Sequence, residues 1–470
     1  MPEHVSFILR TDGYKPSHWL QYPANTTSVY AHFLSRGGRF TQTIMFGLQY
    51  YLTKYLEGAV INLDEITDAD QFFLDYFGTD KVFNYGGWMR LLEKHEGCLP
   101  ISIKAVPEGL PIPTNNILMT VENTDPEFYW LTTYVEGLLS KIWYPTTVAT
   151  LSYEIRKLIL SYLKQTGDEA LIDYKLHDFG YRGVSSEESA AIGGLAHLLN
   201  FRGTDTIMAL PLGAKYYKAS KIANSIPAAE HSTMTAWGKV GELAAYENML
   251  SEFPTGLVAV VSDSYDIYNA CQNIWGSKLR EKVLARDGVL VIRPDSGEPA
   301  TVVRGVLRIL GEQFGFDENE KGYRVLNPKV RVIQGDGVNY DTIKAILSMM
   351  QKDGWSADNI AFGMGGALLQ QVNRDTQSFA YKCSHVVVDG EGRDVFKKPI
   401  TDPDKASMAG RLKLVRIHGA HGKVYRTIRQ DVSLERDVLQ EVFRDGEVKR
   451  RYSFDECRAN TAKSIEYWRG

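Results

Sequence analysis

Short β-branched apolar runs that break into Asp or Gly clusters recur through the middle of the chain. They are LVAVVSDSYDIYNACQNIW from Leu257, VLVIRPDSGEP from Val289, VRVIQGDGVN from Val330 and NIAFGMGGALLQ from Asn359. Runs of this kind, without polar alternation, predict parallel strands buried on both faces. After three of them the pattern turns helical, as in YDTIKAILSMMQ after the GDG and ALLQQV after the GMGG, so the units read as βα rather than as hairpins. A parallel barrel or a doubly wound sheet follows, and in both architectures ligands sit at the C-terminal ends of the strands. Asp263, Asp295, Asp336, Gly365 and Gly366 all fall there, which predicts loops converging on one site.

The two chain ends read differently. Residues 1–150 mix helical and strand patterns with many aromatics, whereas RLKLVRIHGAHGKVYRTI and LQEVFRDGEVKRRYSF predict hairpins turning at Gly-containing loops. Ser453 and Glu456 have capping-box spacing ahead of a closing helix. The expected organisation is an N-terminal α+β domain over 1–150, a βα-barrel-like catalytic domain over 151–384, and a hairpin-and-helix region over 385–470 that packs with the N-terminal domain.

Charge narrows the partners. Lys+Arg 53 against Asp+Glu 57 gives a net charge of −4, which excludes a generally basic nucleic-acid binder. With 44% hydrophobic and 23% charged residues, wholesale disorder is excluded too. Cys98, Cys271, Cys383 and Cys457 are scattered, with no CxxC pair, which argues against a disulfide framework or zinc site and for a reducing compartment. No apolar run approaches a membrane span and the first residues lack a secretory pattern. A cytoplasmic location without membrane association is the expectation.

Several residues could carry chemistry. The glycines of GMGG, Gly363 to Gly366, suit a backbone grip on phosphate, or else a tight turn with close packing. Asp263, Asp295 and Asp336 would be costly together at one mouth unless they hold Mg²⁺, sugar hydroxyls or cationic groups. For any one of them a helix N-cap is the plainer reading. Arg293 and Arg374 supply the positive charge that an anionic phosphate ligand needs, with surface ion pairs as the alternative. His177, beside Phe179, Tyr181 and Arg182, and His231, beside Glu230, stand in the two most informative histidine settings. Each is otherwise a satisfied structural side chain.

Specificity comes from longer motifs. HDFGYRGVSS, FRGTD, SIPAAEHSTMTAWG, VVSDSYDIYNA, IRPDSG, VIQGDG and FGMGG, in this order, resemble the nicotinamide phosphoribosyltransferases. The match begins at DGYKPSHWLQYP from Asp12 and continues through VFKKPITDPDKASMAGRL to the SFDE helix. Long ordered motifs are far more specific than any Gly-rich pattern. The resemblance implies an α/β fold of the type II phosphoribosyltransferase kind: an irregular βα-barrel with a flanking α+β domain built from both chain ends. It also implies a reaction, in which nicotinamide and phosphoribosyl pyrophosphate give nicotinamide mononucleotide and pyrophosphate in NAD salvage. Mg²⁺ would serve as cofactor and ATP as activating co-substrate.

Carried over residue by residue, the resemblance places nicotinamide between Phe179 and a Tyr14 supplied by a second subunit, with Asp205 accepting a hydrogen bond from the carboxamide and Arg293 and Asp12 nearby. Arg182, Arg293, Asp295, Gly335, Asp336, Gly365 and Gly366 are assigned to the ribose and its 5′-phosphate. Arg36, His177, Arg374, Lys382, Lys397 and Lys405 are assigned to the diphosphate or ATP across a homodimer interface, so that active sites are shared. His231 matches the histidine that the family phosphorylates from ATP, with Glu230 and Asp263 orienting it. These three and Asp295 form the implied catalytic set, and Mg²⁺ is expected near Asp263 and Asp295. Two departures stand out: Met364 and Ala259 occupy positions where relatives often have Ser. Three other readings compete: a nicotinate phosphoribosyltransferase, against which Asp205 argues; a non-catalytic nucleotide-binding or signalling protein; and an unrelated metal-dependent barrel enzyme.

Overall fold

The computed structural model describes residues 5–401, 407–419, 422–432 and 435–467. It divides into two compact units: Met1–Thr150, Ala214–Ala219 and Asn373–Gly470 form one, and Leu151–Gly213 with Ser220–Val372 form the other. The second unit ends at Val372 rather than near 384, and strand Phe379–Val388, which a boundary at 385 would cut, belongs to the sheet of the chain-end unit.

The barrel unit is built on six strands in the order Gly203–Thr204, Leu176–Asp178, Ile360–Met364, Val330–Gln334, Asp287–Arg293 and Thr255–Val261. Every pairing is parallel. Parallel bridges Gly203 to Asn224 and Ala228 to Ala259 set residues 224–228 between the two edge strands. There Thr204 N–H donates to the Asn224 carbonyl at 3.3 Å and Ala259 N–H to the Pro227 carbonyl at 2.9 Å. The ring therefore closes, as an irregular barrel rather than an open doubly wound sheet. Strand side chains alternate in direction, so Ala259, Val291 and Ile333 meet in one interior cluster with Ile226, Val289, Ala361 and Phe179 packed against it.

Amphipathic helices follow two strands. Pro299–Phe314 buries Val302, Val303, Val306, Leu307 and Leu310, and Tyr340–Lys352 buries Ile343, Ile346, Leu347 and Met350, the three- and four-residue spacing of a single helical face. The ALLQQV run, in contrast, gives only one turn, Gly366–Leu369. Its Gly366 carbonyl accepts from both Gln370 and Gln371 N–H, a widened turn that ends the helix. Below the sheet, Lys175 Nζ donates to the carbonyls of Ala357, Asp358 and Ile360 at 3.0, 3.0 and 2.9 Å, tying the starts of two strands together. Burial pushes its ammonium down to about 7.

The chain-end unit carries a seven-stranded sheet in the order Glu391–Asp394, Phe379–Val388, Thr26–Ser35, Ile117–Asn123, Ile101–Ala105, Gln440–Arg444 and Glu447–Val448. All its pairs are antiparallel, and both chain ends contribute. The expected hairpins are present, Leu412–Gly419 with Gly422–Arg429 and Gln440–Arg444 with Glu447–Val448. The capping box also forms: Glu456 N–H donates to Ser453 Oγ at 3.2 Å and Ser453 N–H to Glu456 Oε2 at 2.8 Å, opening helix Phe454–Tyr467. All four cysteines are free thiols. Among the described residues no helix is long and apolar enough to cross a membrane.

Candidate active site

Three strands of the barrel carry an aspartate two residues beyond their last residue: Asp263 after Val261, Asp295 after Arg293 and Asp336 after Gln334. The helices that follow are capped by other side chains, Asp266, Glu298 and Asn339. The capping reading therefore fails for all three aspartates. Asp295 and Asp336 line a cavity of about 640 Å³ together with Phe179, Arg182, Asp205, Glu230, Arg293, Gly335, Gly365 and Gly366. That volume suits a small-molecule ligand.

An aromatic slot forms one side. Phe179 N–H donates to the Met364 carbonyl at 3.0 Å, and its ring lies so close to Gly363 that a Cβ there would fall 1.9 Å from Phe179 Cε2. The His177 ring is 5.3 Å from it, tilted by 57°. Asp205 Oδ1 accepts from His177 Nε2 at 2.8 Å and from Ser225 Oγ at 2.5 Å. Burial acts to raise the Asp205 carboxyl, but the hydrogen bond and charge of His177, then Ser225 and Arg293, hold it below its ordinary value. Arg293 Nη2 lies 3.4 Å from Asp295 Oδ2, while its Nε is buried with no partner among the described residues. An orphaned guanidinium N–H of this kind calls for an acceptor. Met364 and Ala259 lie under this slot: Met364 is buried, and Ala259 belongs to the interior cluster on which Phe179 packs.

On the other side stands His231, 45% exposed at its side chain beside an Asp263 that is only 4% exposed. His231 Nε2 is 2.9 Å from Asp263 Oδ1 and its Nδ1 is 3.8 Å from Asp295 Oδ2. Asp263 Oδ2 accepts from the Asp295 N–H at 3.1 Å and from Ser296 Oγ. Asp295 is raised above its ordinary value by burial, with Asp263 and Asp336 adding to the effect and Arg293 and His231 opposing it. Glu230 does not orient the imidazole as expected. It starts the short helix His231–Thr235, with its carboxylate engaged by Ser232 and its N–H by Thr233 at 3.3 Å.

The glycine loops leave room between these sides. A Cβ on Gly366 would meet nothing within 4 Å, and one on Gly365 only the Phe179 carbonyl at 3.6 Å. Gly335 is tighter, since a Cβ there would lie 3.3 Å from both Asp295 Oδ1 and Phe179 Cε2. Arg182 reaches the cavity from the turn Tyr181–Gly183.

The remaining candidates belong to the chain-end unit. Lys382 is lowered chiefly by burial, opposed by Glu136, with Lys397, Arg36 and Arg374 lowering it further, so these four cations share one electrostatic neighbourhood. Asp12 and Tyr14 are exposed in that unit. Lys405 lies outside the described residues. His177, expected with the cations, belongs to the barrel unit, where its Nε2 lies 2.8 Å from Asp205 Oδ1. Sequence reasoning missed Ser225 and Ser296, and at Gly363 the close-packing alternative is the one found, against the Phe179 ring. Ser225 opens the SIPAAEHST motif, but nothing in the sequence tells that it faces Asp205.

A divalent cation finds a partial fit. Among the described residues no group of three or more His, Cys, Asp or Glu side chains is arranged to hold one. Asp263 has both oxygens on protein donors, so it does not suit the role expected of it. Asp295 and Asp336, which repel each other across the cavity, do.

The family model described as nicotinate phosphoribosyltransferase (NAPRTase) matches residues 174–447, and that of the nicotinamide phosphoribosyltransferase N-terminal domain matches residues 6–103. A curated relative, the nicotinamide phosphoribosyltransferase of Xanthomonas campestris pv. campestris, is 48% identical over 463 residues, 97% of this chain and 98% of that protein. The chain belongs to the nicotinamide phosphoribosyltransferase family. A further relative of the same name, from Acinetobacter baylyi, is 32% identical over 499 residues, covering 97% of each protein. As a member of this family the chain is an enzyme of the pentosyltransferase class. Among solved structures, a nicotinate-nucleotide pyrophosphorylase from Pyrococcus furiosus superposes with a TM-score of 0.63 at 15% identity, covering 100% of this chain and 99% of that one. The human nicotinic acid phosphoribosyltransferase gives 0.54 at 17% identity, covering 97% and 94%. These two likenesses carry the fold, that of the type II phosphoribosyltransferases.

Proposed function

We propose that the chain transfers the phosphoribosyl group of phosphoribosyl pyrophosphate to nicotinamide, giving nicotinamide mononucleotide and pyrophosphate in NAD salvage. The observation that carries this reading is Asp205, a carboxylate kept ionised beside the Phe179 ring. It can accept from a carboxamide, whereas it would repel the carboxylate of nicotinate. Phe179 offers a stacking face, and the open glycines 365 and 366 with Arg182 offer space and charge for a 5′-phosphate. Transfer through a ribosyl cation-like transition state needs no protein nucleophile toward carbon. Position and charge suffice. Asp295 and Asp336 are the residues that would hold Mg²⁺, which when bound neutralises diphosphate charge.

The basic residues Arg36, Arg374, Lys382 and Lys397 are assigned to the departing diphosphate, and a homodimer in which Asp12 and Tyr14 serve the partner's site completes the reading. Both assignments rest on the resemblance. Activation by ATP through His231 is supported by its geometry: Nε2 lies 2.9 Å from Asp263 Oδ1, and in the neutral tautomer that donates there the Nδ1 lone pair is the one to attack the γ-phosphorus. An N–P bond forms, the bridging P–O bond breaks and ADP departs. Four free thiols and no membrane-spanning helix among the described residues support a place in the cytoplasm.

The name of the matching 174–447 family model favours nicotinate as the rival substrate. Mononucleotide formation from each pyridine, with phosphoribosyl pyrophosphate and Mg²⁺, with and without ATP, decides. Higher kcat/KM for nicotinamide and stimulation by ATP are expected. Preference for nicotinate, or no turnover of either, overturns the reading.

A further inference from the structure

Asp205 is itself held by two donors, and both fall on the same oxygen. His177 Nε2 and Ser225 Oγ reach Oδ1 at 2.8 and 2.5 Å, and among the described residues no protein donor reaches Oδ2. Resting on the reading above, in which Asp205 receives the carboxamide, we infer that His177 and Ser225 are positioning residues that pin one oxygen of Asp205, keep its negative charge and leave the other oxygen to the substrate amide.

The arrangement is built from three separate elements. His177 comes from strand Leu176–Asp178, Asp205 from the turn after Gly203–Thr204, and Ser225 from the segment that closes the barrel. Asp205 N–H is fixed to the Asp178 carbonyl at 2.9 Å, so its backbone cannot drift. Two donors on one carboxylate oxygen then set the rotation of the carboxylate plane. The imidazole is wedged in turn: Gly203 pairs with His177 across the two strands, and a Cβ on Gly203 would fall 2.6 Å from His177 Nδ1. The tilted Phe179 ring stands close by at 5.3 Å. Only glycine at 203 leaves room for the ring.

Charge follows from the same contacts. The titratable and charged groups facing Asp205 are His177 and Arg293, while the neighbouring Asp178 directs its carboxylate to Gly180 N–H and the Thr204 hydroxyl at 2.7 and 3.1 Å. Burial works against ionisation of Asp205, and the donor on His177 is the largest opposing influence. Without it the acid would take up a proton at a higher pH. A protonated Asp205 no longer repels a substrate carboxylate, so discrimination between amide and acid would fade as the pH drops.

The test compares kcat/KM for nicotinamide and nicotinate between about pH 5.5 and 8.5 in the native protein and in His177→Phe, His177→Gln, Ser225→Ala and Gly203→Ala. Taking the ratio of the two substrates cancels groups that act on both, Asp295 among them. The native ratio is expected to stay level. His177→Phe is expected to raise the nicotinamide KM about tenfold, with kcat changed by less than about threefold, the size of one lost charge-assisted hydrogen bond. Its ratio should fall toward acid pH. His177→Gln, which keeps an N–H donor, should restore most of the KM, and Ser225→Ala should give a weaker version of the Phe effect. Gly203→Ala displaces the imidazole without removing it and should follow His177→Phe, so the inference survives a badly packed Phe variant. Unchanged KM and a level ratio in both His177→Phe and Gly203→Ala overturn it, as does a loss confined to kcat. A native protein that makes no mononucleotide from nicotinamide overturns the functional reading instead.

Discussion

Phe179 lies directly against Gly363, where an added Cβ would come within 1.9 Å of its Cε2 atom. The ring position is thus set by the absence of a side chain one strand away. Gly363→Ala is expected to push the ring out of line and lower kcat/KM for nicotinamide about tenfold or more, since misplacement near the reacting centre is costly. Steady-state kinetics with the pyridine varied checks this.

Gly366 offers the opposite case. A methyl group there meets open space, so Gly366→Ala should leave the thermal unfolding midpoint near that of the native chain. It should raise the KM for phosphoribosyl pyrophosphate instead, by roughly tenfold if the space belongs to the phosphate. An unchanged KM for the sugar donor would remove the phosphate from this loop.

Asp205→Asn keeps the shape of the acceptor and removes its charge. Loss of a charge-assisted hydrogen bond of about 1.5–3 kcal/mol predicts a ten- to hundredfold fall in kcat/KM for nicotinamide. Nicotinate, no longer repelled, should gain. Competition between the two pyridines in one reaction reads the change directly.

At His231 the expected effect lies in the energy coupling. His231→Ala should abolish stimulation by ATP and the acid-labile phosphoryl group on the protein, while retaining basal transfer, because no step at the ribose uses the imidazole. Radiolabelling from γ-labelled ATP together with the transfer assay measures both.

Lys175 gives a stability prediction with a definite sign. Its folded-state value of about 7 lies below the ordinary 10.5, so the unfolded chain holds the proton more tightly and the fold gains stability as pH rises from about 7 toward 10, whereas below 7 both states are protonated and the gain is absent. Lys175→Met orphans the carbonyls of Ala357, Asp358 and Ile360 and should lower the unfolding midpoint at every pH. The rise with pH seen in the native chain should be reduced in the variant.

Much of the barrel could be read from the chain because its long strands are β-branched runs ending in Asp or Gly. The strands from Thr255, Asp287, Val330 and Ile360 are of this kind. The strands Leu176–Asp178 and Gly203–Thr204 are three and two residues long, too short for any periodicity, and the closing segment rests on single bridges at Asn224 and Ala228. That is why barrel and open sheet looked alike in sequence. The aspartates were visible as a set, but their freedom from capping depended on Asp266, Glu298 and Asn339 taking that task three residues further on. His177 and Asp205, 28 residues apart, meet only because their strands are neighbours.

The separation of cap residues from strand-end acids means that reactivity and architecture are written in different letters. Replacing Asp295 and Asp336 by asparagine leaves every helix start its native cap and removes the carboxylate that burial raises at Asp295, together with the Asp336 charge that adds to the effect. An inert vessel of this shape should melt at a higher temperature than the working catalyst.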